Sequence, residues 1–392
     1  MIKPQKLLIL LIAVMAIDLV SCKKDDTPPT VITPDDCVQG RAAIDGNNID
    51  GEYIISYRSS INARGLNKQA ITDLGKETLS RNNISASSLK ESFIGEPGGF
   101  IARLTTEEAA KLKLDENIKH IEPDRIISLN TCFTVVAPRL ITWNIDRVGY
   151  GDGTGKKVWV IDTGIDFDHP DLNVNITLSR SFLGAQTTAD DENGHGTHVA
   201  GVIGAKNNTF GVLGVASGAT LISLRVLDKD GEGKLSYIIQ ALSYINANGS
   251  PGDVVNMSLG EDEGTSDILD EQVQNTAARG IYFAIAAGNE HETASTHSPA
   301  RANGSNIFTV SAIDSLDRFA SFSNYGNDVV DYAVPGVRIL STYTNNRYAY
   351  MSGTSMAAPH MAGLLALKGR NITTSGFAKN DPDGTPDPIA HY

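Results

Sequence analysis

The sequence predicts an α/β fold: a mostly parallel, twisted sheet with helices on both faces, preceded by a small α+β unit. Three observations carry this. From about Trp143 onward, continuous apolar runs alternate with helical stretches, and such runs mark strands buried on both faces of a parallel sheet. Glycine-flanked patches fall where a strand ends or a helix begins: Val160-Ile161-Asp162-Thr163-Gly164, Asn193-Gly194-His195-Gly196-Thr197-His198 and Gly353-Thr354-Ser355-Met356. The chain has 392 residues, 37 glycines and 6% aromatic residues, enough for one large core plus a smaller one with many tight turns.

The elements follow in order. Lys3 and Lys6 precede an apolar run, Leu7 to Ile17, too short for a comfortable membrane helix. It ends in Leu19-Val20-Ser21-Cys22, which resembles a bacterial lipobox; residues 1–21 then read as a lipoprotein signal and Cys22 as the lipidated residue. Lys23-Lys24-Asp25-Asp26 resembles a surface-export tag and equally reads as a solvated linker. Residues 22–48 are rich in Thr, Pro and Asp and read as a flexible tether.

Residues 49–129 read as the small α+β unit. Glu52 to Tyr57 and Gly99 to Leu104 have strand patterns. Asn67 to Asn82 has helical spacing, with Ile71, Leu74 and Leu79 on one side. Thr105-Thr106-Glu107-Glu108 starts a second helix with acids in its first turn, and Ile118 to Leu129 closes as a strand.

In residues 140–392, strands are expected at Lys157–Ile161, Thr220–Leu227, Asp253–Met257 and Gly280–Ala286. Helices are expected at His195–Lys206, Lys234–Asn246, Asp267–Arg279 and Met356–Lys368. In an open parallel sheet, reactive groups gather at the carboxyl ends of the strands. Asp162 lies at such an end, and His195 and Ser355 each open a helix; Pro359 is tolerated only near a helix start, which supports that place for Ser355. A hydroxyl is a weak nucleophile until an imidazole takes its proton, and the imidazole needs a carboxylate to hold its tautomer. The three patches supply one of each. Asn289, at another strand end, offers an amide to an oxyanion, as does the free N–H of Ser355 at its helix start.

At these residues the chain resembles the subtilisin-like serine proteases, or subtilases. The matching stretches are Asp162-Thr-Gly-Ile, His195-Gly-Thr-His-Val-Ala-Gly, Asn256-Met-Ser-Leu-Gly260, Ala286-Ala-Gly-Asn289, Phe322-Ser-Asn-Tyr-Gly326 and Gly353-Thr-Ser-Met-Ala-Ala-Pro-His360. The resemblance implies a serine endopeptidase with Asp162, His195 and Ser355 as triad and Asn289 as oxyanion donor. Ser258, Leu259 and Gly260 would pair with the substrate backbone, and Ala286 and Gly288 would line a roomy pocket of broad, apolar preference. His198 and His360 are expected as packed helix residues. Glu261 departs from the glycine common at its position, and Glu261-Asp262-Glu263 puts acids near the rim; it reads as a solvated acidic loop, or else as one that favours basic residues nearby in the substrate.

Strand, helix and "His120-Ile-Glu-Pro-Asp124" in the 49–129 unit resemble the ferredoxin-like inhibitor propeptide of this family. That implies a precursor that cuts itself near residues 130–142, with its own propeptide as intramolecular inhibitor. A structural Ca²⁺ is implied on the loop 206–212, with Asp171, the Asn208 side chain and the carbonyls of Lys206, Phe210 and Val212 as ligands. Such an oxygen-only set suits calcium. The partners implied are protein and peptide substrates, and the membrane through the lipid of the precursor, with a monomer expected. Net charge is −1 up to Arg139 and −12 beyond it, which disfavours nucleic acid. The turn-rich tail Asp381-Pro-Asp-Gly-Thr-Pro-Asp387 is expected as a loop, or as a cation site through its three aspartates.

Overall fold

The computed structural model describes residues 46–58, 66–128, 132–135, 141–184, 186–261 and 264–392. The signal, Cys22, the tether up to residue 45, Asp262 and Glu263 lie outside these residues.

The first unit runs β1 (Asn48–Tyr57), α1 (Lys68–Arg81), β2 (Leu89–Phe93), β3 (Gly99–Arg103), α2 (Thr106–Leu112) and β4 (Ile118–Ser128). Its helices begin where capping chemistry dictates. Asn67 accepts from the Ala70 N–H, and Thr105 and Glu108 form a reciprocal capping box, which satisfies amides the helices leave free. The β-α-β-β-α-β order with antiparallel pairs β4-β1-β3-β2 is the split-βαβ arrangement. Ile55, Tyr57, Ile71, Leu79, Phe100 and Leu112 fill its own core.

The chain continues through β5 (Cys132–Val135), α3 (Trp143–Val148), β6 (Gly151–Asp152), β7 (Lys157–Asp162), β8 (Arg180–Ser181), α4 (His195–Gly204), β9 (Ala216–Ser217), β10 (Thr220–Arg225), β11 (Glu232–Lys234) and α5 (Leu235–Asn248). Then come β12 (Val254–Met257), α6 (Asp267–Ala277), β13 (Tyr282–Ala286), β14 (Ile307–Ile313), β15 (Val330–Pro335), β16 (Ile339–Tyr343), β17 (Arg347–Ser352), α7 (Thr354–Lys368), β18 (Thr373–Phe377) and β19 (Pro388–His391). The main sheet has the order β18-β19-β15-β14-β13-β12-β7-β10-β8. Every pair in it is parallel except the edge pair β18/β19.

Period-2 alternation sorts the strand side chains between two helix layers. Val158 and Val160 pack with Val199, Ile203, Met361 and Leu365 of α4 and α7. Trp159 and Ile161 pack with Leu242, Ile245, Leu269 and Val273 of α5 and α6. No helix among the described residues is long and apolar enough to cross a membrane.

The tail differs from the expected loop. It becomes β18 and β19, and Ile389 pairs with Ala333 to lengthen the sheet. Asp381 and Asp383 accept from turn amides of the tail, while Asp387 is buried and accepts from Ser311 Oγ. Burial and the neighbouring Asp381, Asp383 and Asp331 push the Asp387 carboxyl up to about 7. Asp381 and Asp383 thus serve the turn and Asp387 the sheet; no group of three or more His, Cys, Asp or Glu among the described residues is placed to hold a metal ion.

Candidate active site

Asp162 ends β7 and is fully buried; His195 opens α4 and is 1% exposed. His195 Nδ1 lies 2.8 Å from Asp162 Oδ1, which also accepts the Thr163 N–H at 2.7 Å. The carboxylate therefore fixes the proton on Nδ1. Nε2 keeps its lone pair, is buried, and has no hydrogen-bond partner among the described residues. The approach needs a glycine: a Cβ on Gly196 would stand 2.1 Å from the Gly164 carbonyl and 3.0 Å from Asp162 Oδ1.

Sequence reasoning missed what holds α4 there. Asp191 accepts from the N–H groups of Asn193, Gly194 and Thr197 and from the hydroxyls of Thr163 and Thr197. One buried carboxylate thus caps the helix that carries His195 and ties it to the strand end that carries Asp162. An aspartate four residues before a helical His is a signal of the N-cap kind.

Ser355 is the second residue of α7 and 5% exposed, so its N–H is among those the helix leaves unused. Helix α7 packs against α4. Asn289 Oδ1 accepts from both the N–H (2.8 Å) and the hydroxyl (3.0 Å) of Thr354. Two donors at the oxygen settle the orientation of the amide and leave its NH₂ free for a third group. Ser355 and Asn289 line one cleft with Ser258, Leu259, Gly260, Ala286 and Gly288. Its wall is less apolar than expected, because Glu261, Glu290 and His297 share it.

Pro359 is the sixth residue of α7 rather than a residue of its start. It has no N–H, so the Ser355 carbonyl lacks its helical donor. Ser258 Oγ replaces it at 2.7 Å and itself receives the Asn256 side-chain amide at 2.9 Å. The side chain of Ser258 therefore supports the helix beneath Ser355. Ser258→Ala is expected to cost about 1–3 kcal/mol, the usual cost of an orphaned buried acceptor. Adding Pro359→Ala restores a helical N–H and should return most of that loss. Denaturant melts of the single and double variants check this; equal losses in both would refute it.

His198 and His360 are packed, as expected. The His198 ring lies between the carbonyls of Ile339 and Ala349, and burial lowers it to about 3. His360 bonds Met356 O and the Asn144 amide and is lowered to about 4 by burial.

Asp171 and Asn208 are brought together, but their side-chain oxygens already have partners. Asp171 Oδ1 accepts from Asn208 Nδ2 at 2.6 Å. Its Oδ2 accepts from the Val212 N–H at 3.0 Å and from Tyr348 OH at 3.2 Å. Asn208 Oδ1 accepts from the Phe210 N–H, and Lys206 N–H bonds the Asp171 carbonyl. A cation fits this oxygen-rich loop only if the Asn208 amide turns its oxygen toward Asp171.

The α+β unit sits against the same cleft. The end of β4 pairs antiparallel with β11: Glu232 with Ser128, Gly233 with Ile127 and Lys234 with Ile126. Ile127 is fully buried in a cluster with Leu235, Ile238, Leu259 and Ile268. Glu122 accepts from Ser266 Oγ and the Ile268 N–H at the start of α6. Asp124 accepts from the Ser236 N–H and hydroxyl at the start of α5. Carboxylates at helix N-termini are favoured by the dipole, though burial pushes both carboxyls up. Glu261 is not a solvated rim. It is 2% exposed, and its carboxylate lies 3.0 Å from Arg125 Nε of β4.

A parallel sheet with a carboxylate-held imidazole at the start of α4 and a serine at the start of α7, two helices that pack together, is the arrangement expected of a serine peptidase. The chain belongs to the subtilase family, whose sequence profile matches residues 153–374. It is 39% identical to a thermostable alkaline protease of Halalkalibacterium halodurans over 72% of this chain and 78% of the relative. It is 35% identical to a thermophilic serine proteinase of a Bacillus species, over 83% and 80%. A crystal structure of a cold adapted subtilisin-like serine proteinase aligns with TM-score 0.56 and 33% identity, over 64% of this chain and 98% of that one. The chain is accordingly a serine endopeptidase that hydrolyses peptide bonds in protein substrates.

Proposed function

We propose that Asp162, His195 and Ser355 are the catalytic triad of an endopeptidase made as a self-processing precursor. The observation that carries the triad is the 2.8 Å contact of Asp162 with His195 Nδ1, opposite an Nε2 that is buried without a partner among the described residues. Nε2 takes the proton of Ser355 Oγ as that oxygen attacks the peptide carbonyl. The oxyanion is received by the Ser355 N–H and the free NH₂ of Asn289. His195 returns the proton to the leaving amine, and water, deprotonated by the same Nε2, releases the acyl group. A fluorophosphonate probe should label the folded mature protein at Ser355; a folded protein that never labels would overturn the reading.

Residues 49–129 act as the propeptide. The pairing of β4 with β11 supports this, because an extended segment added to a strand edge is how a peptide substrate binds. Broad specificity follows from the backbone pairing, with an aliphatic side chain accepted where Ile127 lies. Residues 1–21 direct export, Cys22 carries the lipid of the precursor, and cleavage near 130–142 releases the mature domain as a monomer.

The loop 206–212 with Asp171 is proposed to hold a structural Ca²⁺, with Asn208 turned. Chelation is then expected to lower Tm by about 5–10 °C, the loss of roughly 2.7 kcal/mol of linkage for an ion held at 100 times its Kd. Calorimetry with and without EGTA checks it. An unchanged Tm would leave Asn208 with its bond to Asp171 and no ion.

A further inference from the structure

The wall of the cleft carries a charge that bears on which substrates it prefers, given the reading of β4 as a segment lying in the substrate cleft. Glu261 has a side chain with no exposed surface, yet it stands in the wall of the cleft that holds Ser355 and Asn289. Its carboxylate faces the guanidinium of Arg125 at 3.0 Å, and that arginine is only 14% exposed. Arg125 is held further by the Thr265 carbonyl at 2.9 Å and by Glu122 at 3.4 Å. It lies two residues before Ile127, whose register on Gly233 and burial beside Leu235 and Leu259 fix the segment.

We propose that Glu261 is a specificity-determining residue that selects substrates with an arginine or lysine two positions before an aliphatic residue, on the N-terminal side of the cut. In the precursor Arg125 fills this position. Processing removes Arg125 together with Glu122, and the buried carboxylate then favours a substrate cation in the same place. A charge taken out of water is costly unless an opposite charge meets it. Thr265 O remains as a second acceptor for a guanidinium, whose planar fork of donors suits two acceptors better than an ammonium does. Arginine is therefore preferred to lysine. The side chain of Glu261 acts on binding of the extended peptide and touches none of the reacting atoms.

The test uses the mature enzyme and internally quenched peptides that differ only at this position: Arg, Lys, Ala or Glu, two residues before isoleucine. At low ionic strength the Arg peptide is expected to show a kcat/KM about 10-fold above the Ala peptide, the Glu peptide being poorest. Raising salt to about 0.5 M should leave most of this ratio in place, since a buried pair in contact is screened far less than an exposed one. Glu261→Gln should bring the Arg/Ala ratio within about twofold, and Glu261→Lys should invert the order in favour of the Glu peptide. Equal kcat/KM for Arg and Ala peptides in the wild-type enzyme overturns the proposal while leaving the peptidase reading intact. An enzyme that cleaves no peptide and takes no fluorophosphonate label overturns both. Because the first comparison uses wild-type protein alone, misfolding of a Glu261 variant cannot decide the outcome.

Discussion

Ser355→Ala is expected to yield a folded protein of full length that neither trims itself nor turns over peptide. The substitution removes one oxygen from a residue that is 5% exposed. Its N–H remains free at the second position of α7, and its carbonyl remains bonded to Ser258 Oγ. Alanine is a good helix former, so Tm should move by no more than a few degrees. Turnover should fall by about 10⁶-fold, the magnitude measured when the serine of a subtilisin is removed. Residual rate over water comes from the Asn289 amide and the Ser355 N–H, which still meet an oxyanion. Gel analysis of the expressed precursor reads the result. A single full-length band is expected from the variant, against two bands from wild type. Normal trimming of the variant would assign processing to another protease and sink the self-cleavage proposal, while kcat would still report on Ser355 separately.

The site is far more legible in the sequence than its surroundings, for a physical reason. Near Asp162 and His195 backbone must pass close to backbone, and that demand writes glycine at 164 and 196. Gly196 against the Gly164 carbonyl is one such contact. Local rules also place the starts of α1 and α2, because Asn67 and Thr105 cap through their own neighbours. What escapes such rules depends on partners distant in sequence. Glu232-Gly-Lys234 has no strand pattern and is a strand only because β4 pairs with it. The tail aspartates suggest a loop until Ile389 finds the open edge of β15 at Ala333. Glu261 looks solvated because its neighbours in sequence, Asp262 and Glu263, are acidic too; Arg125 faces it from the other unit. Pro359 looks like a marker of the helix start, whereas its consequence is a carbonyl that Ser258 must satisfy.

Asp162→Asn is expected to lower kcat by about 3 × 10⁴-fold, the size measured on loss of the triad aspartate of a subtilisin. The geometry says which part of the function is lost. An amide at this site has two orientations. With its NH₂ toward His195 it would donate to Nδ1, force the imidazole proton onto Nε2, and leave no base for Ser355. That orientation also sets the NH₂ against the Thr163 N–H, which donates to Asp162 Oδ1 at 2.7 Å. With its oxygen there instead, both donors are satisfied and the tautomer survives. The NH₂ then replaces Oδ2, which is buried and has no hydrogen-bond partner among the described residues, so an orphaned donor is added at about 1–3 kcal/mol. The Thr163 N–H favours this second orientation. The defect is then mainly a missing negative charge beside the imidazolium that forms as Ser355 gives up its proton. The helix of His195 keeps its place because Asp191 still caps it, so KM should change little while kcat collapses. Fluorophosphonate labelling should slow by a comparable factor and still occur at Ser355. A kcat within about tenfold of wild type would reduce Asp162 to a strand-end cap and remove it from the triad.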